Sequence, residues 1–304
     1  MNKFKGFLFG MTASSAFGLL PLFTLPIMSE GLTTNSILCY RMLFASVLVA
    51  VLMQVRKITF RTNLRELLWF AFLGFFYYGS ASLLFQAYGT MSSGMATTLH
   101  FLYPVGVTLI MALVFKQRPS PFTILAIILG LSGVALLSLK EGGGSSSASL
   151  VGILLVLLSG LSYAAYLVTM NNVRRVRESN NLKLTLYVLI FSALFFLLDT
   201  SLSGGLQMIP SGRALTNLLL LAFLPTLVSN LALVRAVKSI GSTLTSVLGA
   251  MEPLTAIVIG VVVFGEEVTG PMALGILLIL LSVTIIVLSP LLDKNIADRL
   301  RRLS

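Results

Sequence analysis

The stretches SGMATTLHFLYPVGVTLIMALVF (Ser93–Phe115) and STLTSVLGAMEPLTAIVIGVVVF (Ser242–Phe264) decide how the chain is read. A shift of 149 residues lays one on the other without a gap. Ser93 falls on Ser242, Thr97 on Ser246, Leu99 on Leu248, Pro104 on Pro253, Ile110 on Ile259 and Phe115 on Phe264. The match continues outward, Ala87 onto Ala236 and Val134 onto Val283; near the start of each half a shift of 146 works better, with Gly6 on Gly152 and Phe17 on Tyr163. Two leucine-rich stretches match in part by chance. The aligned prolines, and the Ser/Thr stripe before them, do not follow from composition. Each stretch is also long and apolar enough to cross a hydrocarbon core of about 30 Å.

Ten such runs are expected: 4–26, 33–55, 66–88, 93–115, 120–139, 150–171, 182–199, 214–235, 242–264 and 269–292. They fill most of the 304 residues and leave no room for a soluble domain. Composition agrees: 57% of residues are hydrophobic and 10% charged, against about 25% charged in soluble domains, and the mean hydropathy is +0.98. Disorder is excluded by the same figures. One cysteine, Cys39, forbids an intramolecular disulfide, and one histidine, His100, leaves little for a metal site. The first run follows Lys3 and Lys5 as a signal peptide would. It lacks a small-residue cleavage site and nine runs follow, so it reads as a retained helix.

The net charge of +11 suggests nucleic acid until the charges are placed. With the N-terminus in the cytoplasm, 18 of the 21 Lys and Arg fall on the cytoplasmic side. Two, Lys140 and Arg213, fall outside, and Arg41 lies within a run. That sorting is the positive-inside pattern, and slipping the count by one helix would scramble it. It predicts ten spans, both termini cytoplasmic, in the inner (plasma) membrane, with a lipid bilayer and no nucleic acid as partner. The predicted organisation is a first five-helix repeat (1–140), a Gly/Ser linker (141–149), a second repeat (150–292) and a basic cytoplasmic tail (293–304). Five is odd, so the second repeat enters the bilayer upside down. The predicted fold is an all-α membrane protein of ten transmembrane helices in two inverted five-helix repeats, a transporter architecture.

Inside the runs only Arg41, His100 and Glu252 are ionisable candidates. Each costs at least about 2.5–3.5 kcal/mol at a bilayer centre, and so should face a cavity or a partner. Glu252 lies about ten residues into its run, roughly 15 Å deep at 1.5 Å per residue. Pro253 and Pro104 each deny an amide to the carbonyl four residues back, those of Gly249 and His100. Paired interruptions in two halves point to a transporter binding site, although the prolines could instead kink helices for packing. Ser93, Thr97, His100 and Pro104 share one helix face, as do Ser242, Ser246, Gly249 and Pro253; a packing seam would look the same. Arg41 could meet Glu252, meet an acidic group of the substrate, or snorkel to the headgroups. Tyr77, Tyr78, Gln86, Tyr103, Tyr163, Tyr166 and Asn230 could complete a substrate cavity, while Tyr88 reads as interfacial belt. Pro21 and Pro225 add helix breaks. Glu266 and Glu267 read as solvated. No Walker A, HExxH, GxSxG or CxxC pattern occurs, so no cofactor, metal or catalytic residue is expected, and the chain is not read as an enzyme.

Several segments resemble the EamA-type members of the drug/metabolite transporter superfamily. MEPLTAIVIGVVVFGEEVT (Met251–Thr269) is similar to the family's Glu-Pro followed by Gly-Glu. LYPVGVTLIMALVFKQRPS (Leu102–Ser120) is similar to the equivalent first-half stretch, with Lys116-Gln117 where Gly-Glu is the pattern. YRMLFASVLVAVL (Tyr40–Leu52) resembles the Arg-bearing second helix, and SLLFQAYGTMSSGMA (Ser82–Ala96) the link between the third and fourth. The resemblance implies a central cavity lined by the first, third, fourth, sixth, eighth and ninth helices, and export of amino acids or other small metabolites. The expectation is a secondary transporter working by alternating access, with Glu252 taking a cationic group or a proton. An antiporter of phosphorylated or nucleotide-linked sugars is the alternative, and needs several cations in the cavity. A membrane enzyme or lipid flippase is a third class, with His100 and Glu252 as an acid–base pair. Monomer and homodimer both stay open.

Overall fold

Helix-forming apolar runs, punctuated by proline and by capping residues, produce an all-helical arrangement. The structure is a computed structural model that describes residues 3–116, 120–137, 150–249 and 251–303. The linker at 141–149 therefore lies outside the described residues, as do the side chains of Ser242, Ser246 and the tail from Leu291. The helices are α1 (Lys3–Gly18), α2 (Leu20–Ser29), α3 (Thr34–Val55), α4 (Leu64–Ala87), α5 (Ser93–His100), α6 (Tyr103–Phe115), α7 (Pro121–Leu137), α8 (Leu150–Asn172), α9 (Arg174–Arg177), α10 (Asn181–Leu202), α11 (Gly212–Leu221), α12 (Ser229–Leu248), α13 (Met251–Phe264) and α14 (Gly270–Leu303). A π-helical turn, Ala222–Val228, joins α11 to α12. Seven helical segments are long and apolar enough to cross a membrane, and three shorter apolar helices accompany them: Ile124–Gly133, Met251–Phe264 and Gly270–Ile285. Their outward faces are apolar, with Leu113 79% and Val262 77% exposed, as a lipid-facing surface requires.

The breaks fall where proline and glycine dictate. Pro21 sits in the first turn of α2, two residues past the break at Leu19. Pro104 opens α6, which is separated from α5 by Phe101 and Leu102. Pro225 lies in the π turn, as expected where a ring interrupts the i→i−4 ladder. Pro253 lies in the first turn of α13, after Gly249. Polar caps start four helices: Asn63 accepts from Glu66 N, Ser92 from Met95 N, Asn180 from Leu182 N and Lys183 N, and Ser211 from Ala214 N.

One boundary differs from expectation. Helical hydrogen bonding continues through 236–241, where a loop between spans was predicted. The chain still turns there. Ser229 Oγ donates to Ala13 O, Gly6 abuts Ser239 and Ile240, Gly10 abuts Leu248, and Gly18 abuts the Glu252 carbonyl. A straight α12 would carry Leu248 about 12 Å beyond Ile240, away from Gly10, so its direction reverses between them.

Five close helix pairs that join the first half to the second are α1 with α12, α3 with α10, α4 with α8, α5 with α13, and α7 with α14. Exchanging the halves leaves this set of pairs unchanged. Serines lock the seams, Ser159 Oγ donating to Ser80 O at 2.6 Å, Ser192 Oγ to Gly74 O at 2.9 Å and Ser282 Oγ to Ala126 O at 2.6 Å. Without a hydrophobic drive between helices in lipid, such small residues and short bonds carry the association.

Candidate functional site

The break between α5 and α6 presents His100 and Tyr103 toward α8 and α4. Gly160 of α8 lies against the His100 carbonyl, the one Pro104 cannot serve. That carbonyl is thus placed in a helix seam. The rings of His100, Tyr103, Tyr163, Tyr166 and Tyr77 run on from one another, with centroids 5.6 Å apart for His100–Tyr163, 4.9 Å for Tyr103–Tyr163, 5.7 Å for Tyr163–Tyr166 and 5.6 Å for Tyr77–Tyr166. His100 Nδ1 lies 3.1 Å from Ser159 Oγ. The Ser159 proton is committed to Ser80 O, so Nδ1 carries a proton and donates to the serine. A serine held this way is not activated by the histidine.

Arg41 is 2% exposed. It does not snorkel. Its Nε donates to Thr226 Oγ1 at 3.0 Å, and its guanidinium lies 5.7 Å from the Phe85 ring centroid. Thr226 is presented by the π turn around Pro225, and its own hydroxyl donates to Leu221 O. Arg41 Nη2 is buried with no hydrogen-bond partner. Glu252 is 8% exposed, and its Oε1 is likewise buried without one. The two do not form an ion pair: the ion pairs among the described residues are Arg174–Glu178 and Lys183–Glu66. Tyr88 lies within electrostatic reach of both, and Tyr103 and Tyr163 within reach of Glu252. Phe17, Leu20, Arg41, Tyr77, Ser80, Phe85, His100 and Tyr163 line a cavity of about 20 Å³, room for about one water molecule.

Three expected residues lie elsewhere. Tyr78 Oη donates to Asp199 at 2.9 Å, and Asn35 donates to the same carboxylate at 2.8 Å, so Tyr78 ties α4 to α10. Gln86 is exposed and donates to Ser82 Oγ, which is affordable one residue from the end of α4. Asn230 donates to Thr226 O at 2.6 Å and lines a separate, larger cavity. Tyr88 corrects the belt reading: it is 7% exposed, with its hydroxyl 3.3 Å from Thr97 Oγ1. Glu266 corrects the solvated reading. Its Oε1 accepts from Ser93 N and Ser93 Oγ, both at 2.7 Å, and its Oε2 from Gly94 N at 3.3 Å. The carboxylate caps α5 from across the molecule, where the helix dipole favours it. Glu267 is exposed, as expected. Ser159, Ser80, Phe85 and Thr226 were not singled out by sequence. Ser159, Tyr163 and Tyr166 are spaced by four and three, one helix face, and that spacing could have found the serine.

Residues 4–139 and 150–288 each match the EamA-like transporter family. The Uncharacterized transporter sll1319 of Synechocystis sp. is 26% identical over 239 residues, covering 76% of this chain and 71% of its own. A crystal structure at 18% identity superposes with a TM-score of 0.65, covering 93% of this chain and 98% of its own; that likeness is one of fold. With both halves matched and apolar helices throughout, the chain belongs to the EamA-like transporter family and is a multi-pass membrane transporter.

Proposed function

We propose that the protein is a secondary transporter that exports amino acids or related small metabolites across the inner (plasma) membrane, by alternating access around a midplane cavity. One observation carries the reading: Arg41 Nη2 and Glu252 Oε1 are both buried and unpartnered, with Arg41 lining the small central cavity and Glu252 within electrostatic reach of Tyr163 in its wall. A buried polar atom without a partner costs about 1–3 kcal/mol, which a ligand can recover. A zwitterion supplies both partners, its carboxylate to Arg41 and its ammonium to Glu252. His100, Tyr77, Tyr103, Tyr163 and Tyr166 form the wall against which its side chain rests. Arg41 is the one guanidinium lining this cavity, which favours a carboxylate over the several charges of a phosphorylated or nucleotide-linked sugar. The serine committed to Ser80 O argues against hydrolytic chemistry at His100.

Ten spans in two inverted five-helix repeats, 1–140 and 150–292 about the 141–149 linker, fit the two matched segments and the exchange-symmetric helix pairing. Two halves of this kind move against each other, and the Glu266 bond to α5 fastens one end of the seam between them. The termini are assigned to the cytoplasm by the Lys/Arg sorting, and reporter fusions at each end test that. A proton is the candidate coupling ion at Glu252.

The test is counterflow of labelled amino acids and metabolites in proteoliposomes, comparing the natural protein with Glu252→Gln. The variant is expected to fold and to lose flux. Normal flux through it would overturn the role of Glu252, and catalytic turnover of a candidate substrate in detergent would overturn the transport reading of the site.

A further inference from the structure

A second cavity, of about 520 Å³, lies apart from the central one. It lies where the end of α3, the start of α10, and α12 meet, and its volume falls within the roughly 300–1,000 Å³ typical of ligand sites. Arg56, Arg177 and Arg235, from three distant parts of the chain, line it together. Among the described residues that line it, none is acidic. Of the nearby cations, Lys183 is taken by Glu66 at 3.2 Å and Arg174 by Glu178 at 2.8 Å; neither lines the cavity. Arg235 is held in place over the Phe9 ring, 5.5 Å from its centroid. The first turn of α10, a 22-residue helix, also opens here. Asn180 already occupies the amides of Leu182 and Lys183, so the helix contributes its positive end rather than those donors. The walls deeper in carry aliphatic side chains, Val49, Leu189, Leu227 and Leu231, beside the polar Thr185, Thr226 and Asn230.

Cations at the mouth and aliphatic side chains behind match a molecule that is anionic at one end and greasy at the other. We propose that this cavity binds a phosphate-bearing group, namely the headgroup of an anionic phospholipid from the adjoining leaflet, with Arg56, Arg177 and Arg235 on the phosphate and an acyl chain along α12. Basic pockets between membrane helices hold such headgroups by the same electrostatics. Neither Arg41 nor Glu252 lines this cavity, although Thr226, which accepts from Arg41 Nε, does.

Native mass spectrometry of the detergent-solubilised full chain tests this directly, by titration with phosphatidylglycerol, phosphatidylcholine and inorganic phosphate. Phosphatidylglycerol is expected to bind in preference to phosphatidylcholine. Arg56→Gln, Arg177→Gln and Arg235→Gln are each expected to weaken it about fivefold, from about one interfacial cation's worth of attraction. Arg177→Lys, which keeps the charge, is expected to retain most of the preference, and Arg174→Gln, outside the cavity, all of it. Each variant is checked for an unchanged melting temperature, so that loss of binding is not loss of fold. Equal binding of the two lipids, or glutamine variants that bind like the natural protein, overturns the proposal. Binding of inorganic phosphate through the same three arginines, without a phosphatidylglycerol preference, overturns the lipid and assigns the site to a soluble phosphate compound.

Discussion

Arg41→Met removes a buried cation whose Nη2 has no hydrogen-bond partner. Two interactions are lost. The Nε bond to Thr226 Oγ1 is worth about 1.5–3 kcal/mol as a bond to a charged group. The contact with Phe85 is worth about 1–2 kcal/mol in a desolvated setting. Thr226 is not orphaned, because its hydroxyl still donates to Leu221 O. Against these losses stands the penalty of burying a guanidinium without a counter-charge, several kcal/mol. The terms offset one another, and the net change in stability is expected within about 2 kcal/mol of zero. A structural arginine with an ionic partner would behave differently, since breaking a buried pair costs about 3–5 kcal/mol. Transport should respond in the opposite sense: removing one partner of a buried charge pair with the substrate carboxylate costs at least about 2 kcal/mol, roughly thirtyfold in affinity. The assay is paired, with thermal unfolding in detergent followed through Trp69 and counterflow in proteoliposomes from the same preparation. A variant that melts as the natural protein does and fails to transport supports the reasoning. A variant destabilised by more than about 3 kcal/mol, or one that transports normally, refutes it.

Glu266→Ala should lower stability by about 2 kcal/mol, the upper range for loss of a helix cap, whereas Glu267→Ala, at an exposed position, should leave the melting temperature unchanged. Lys116 takes the left-handed conformation, φ 55°, at the position equivalent to Gly265, φ 66°; Lys116→Gly should therefore raise stability by up to about 1 kcal/mol, read from the same melts. Ser159→Val removes the acceptor of His100 Nδ1 and the bond to Ser80 O, and should destabilise by about 2 kcal/mol through the stranded imidazole donor; an unchanged melt would mean that the seam between α4 and α8 does not depend on that serine.

Much of the scaffold was legible because lipid imposes few solutions. Long apolar runs must be helices, and a proline within one denies an amide to the ladder, which makes the breaks near Pro21, Pro104, Pro225 and Pro253 readable in the sequence. The ionisable candidates were legible for the same reason: Arg41, His100 and Glu252 are too costly to leave facing lipid, and all three are buried. What failed were readings that depend on direction around a helix. Tyr77 and Tyr78 are neighbours in sequence but point about 100° apart, one to the central cavity and one to Asp199. Gln86 was expected inside on the cost of its amide, but its place at the helix end lets it sit outside. Glu266 reads as solvated because its partners, Ser93 and Gly94, lie in the other half of the chain. No local signal announces a cap supplied across the molecule.

The repeat and the site obey different rules, and the contrast bears on the ligand. Equivalent positions keep what shapes the backbone: proline at 104 and 253, and a left-handed residue at 116 and 265 even though one is lysine. The chemistry is not kept. Glu252 stands opposite Tyr103, Gly249 opposite His100, and Glu266 opposite Gln117. A duplicated scaffold with matching charges in both halves would hold a symmetric ligand, or any ligand in two orientations. Here the carboxyl comes from α13 alone and the guanidinium from α3 alone, so on the proposed reading a bound molecule would meet a cation at one end and an acid at the other. A zwitterion docks in one orientation in such a field, and reversing it sets like charges against each other. Exchanging the two charges, with Arg41→Glu and Glu252→Arg in one chain, should therefore leave the scaffold's symmetry intact and reverse the order in which carboxylate-only and amine-only analogues compete in counterflow. An unchanged competition order would mean that neither group meets the ligand's charges.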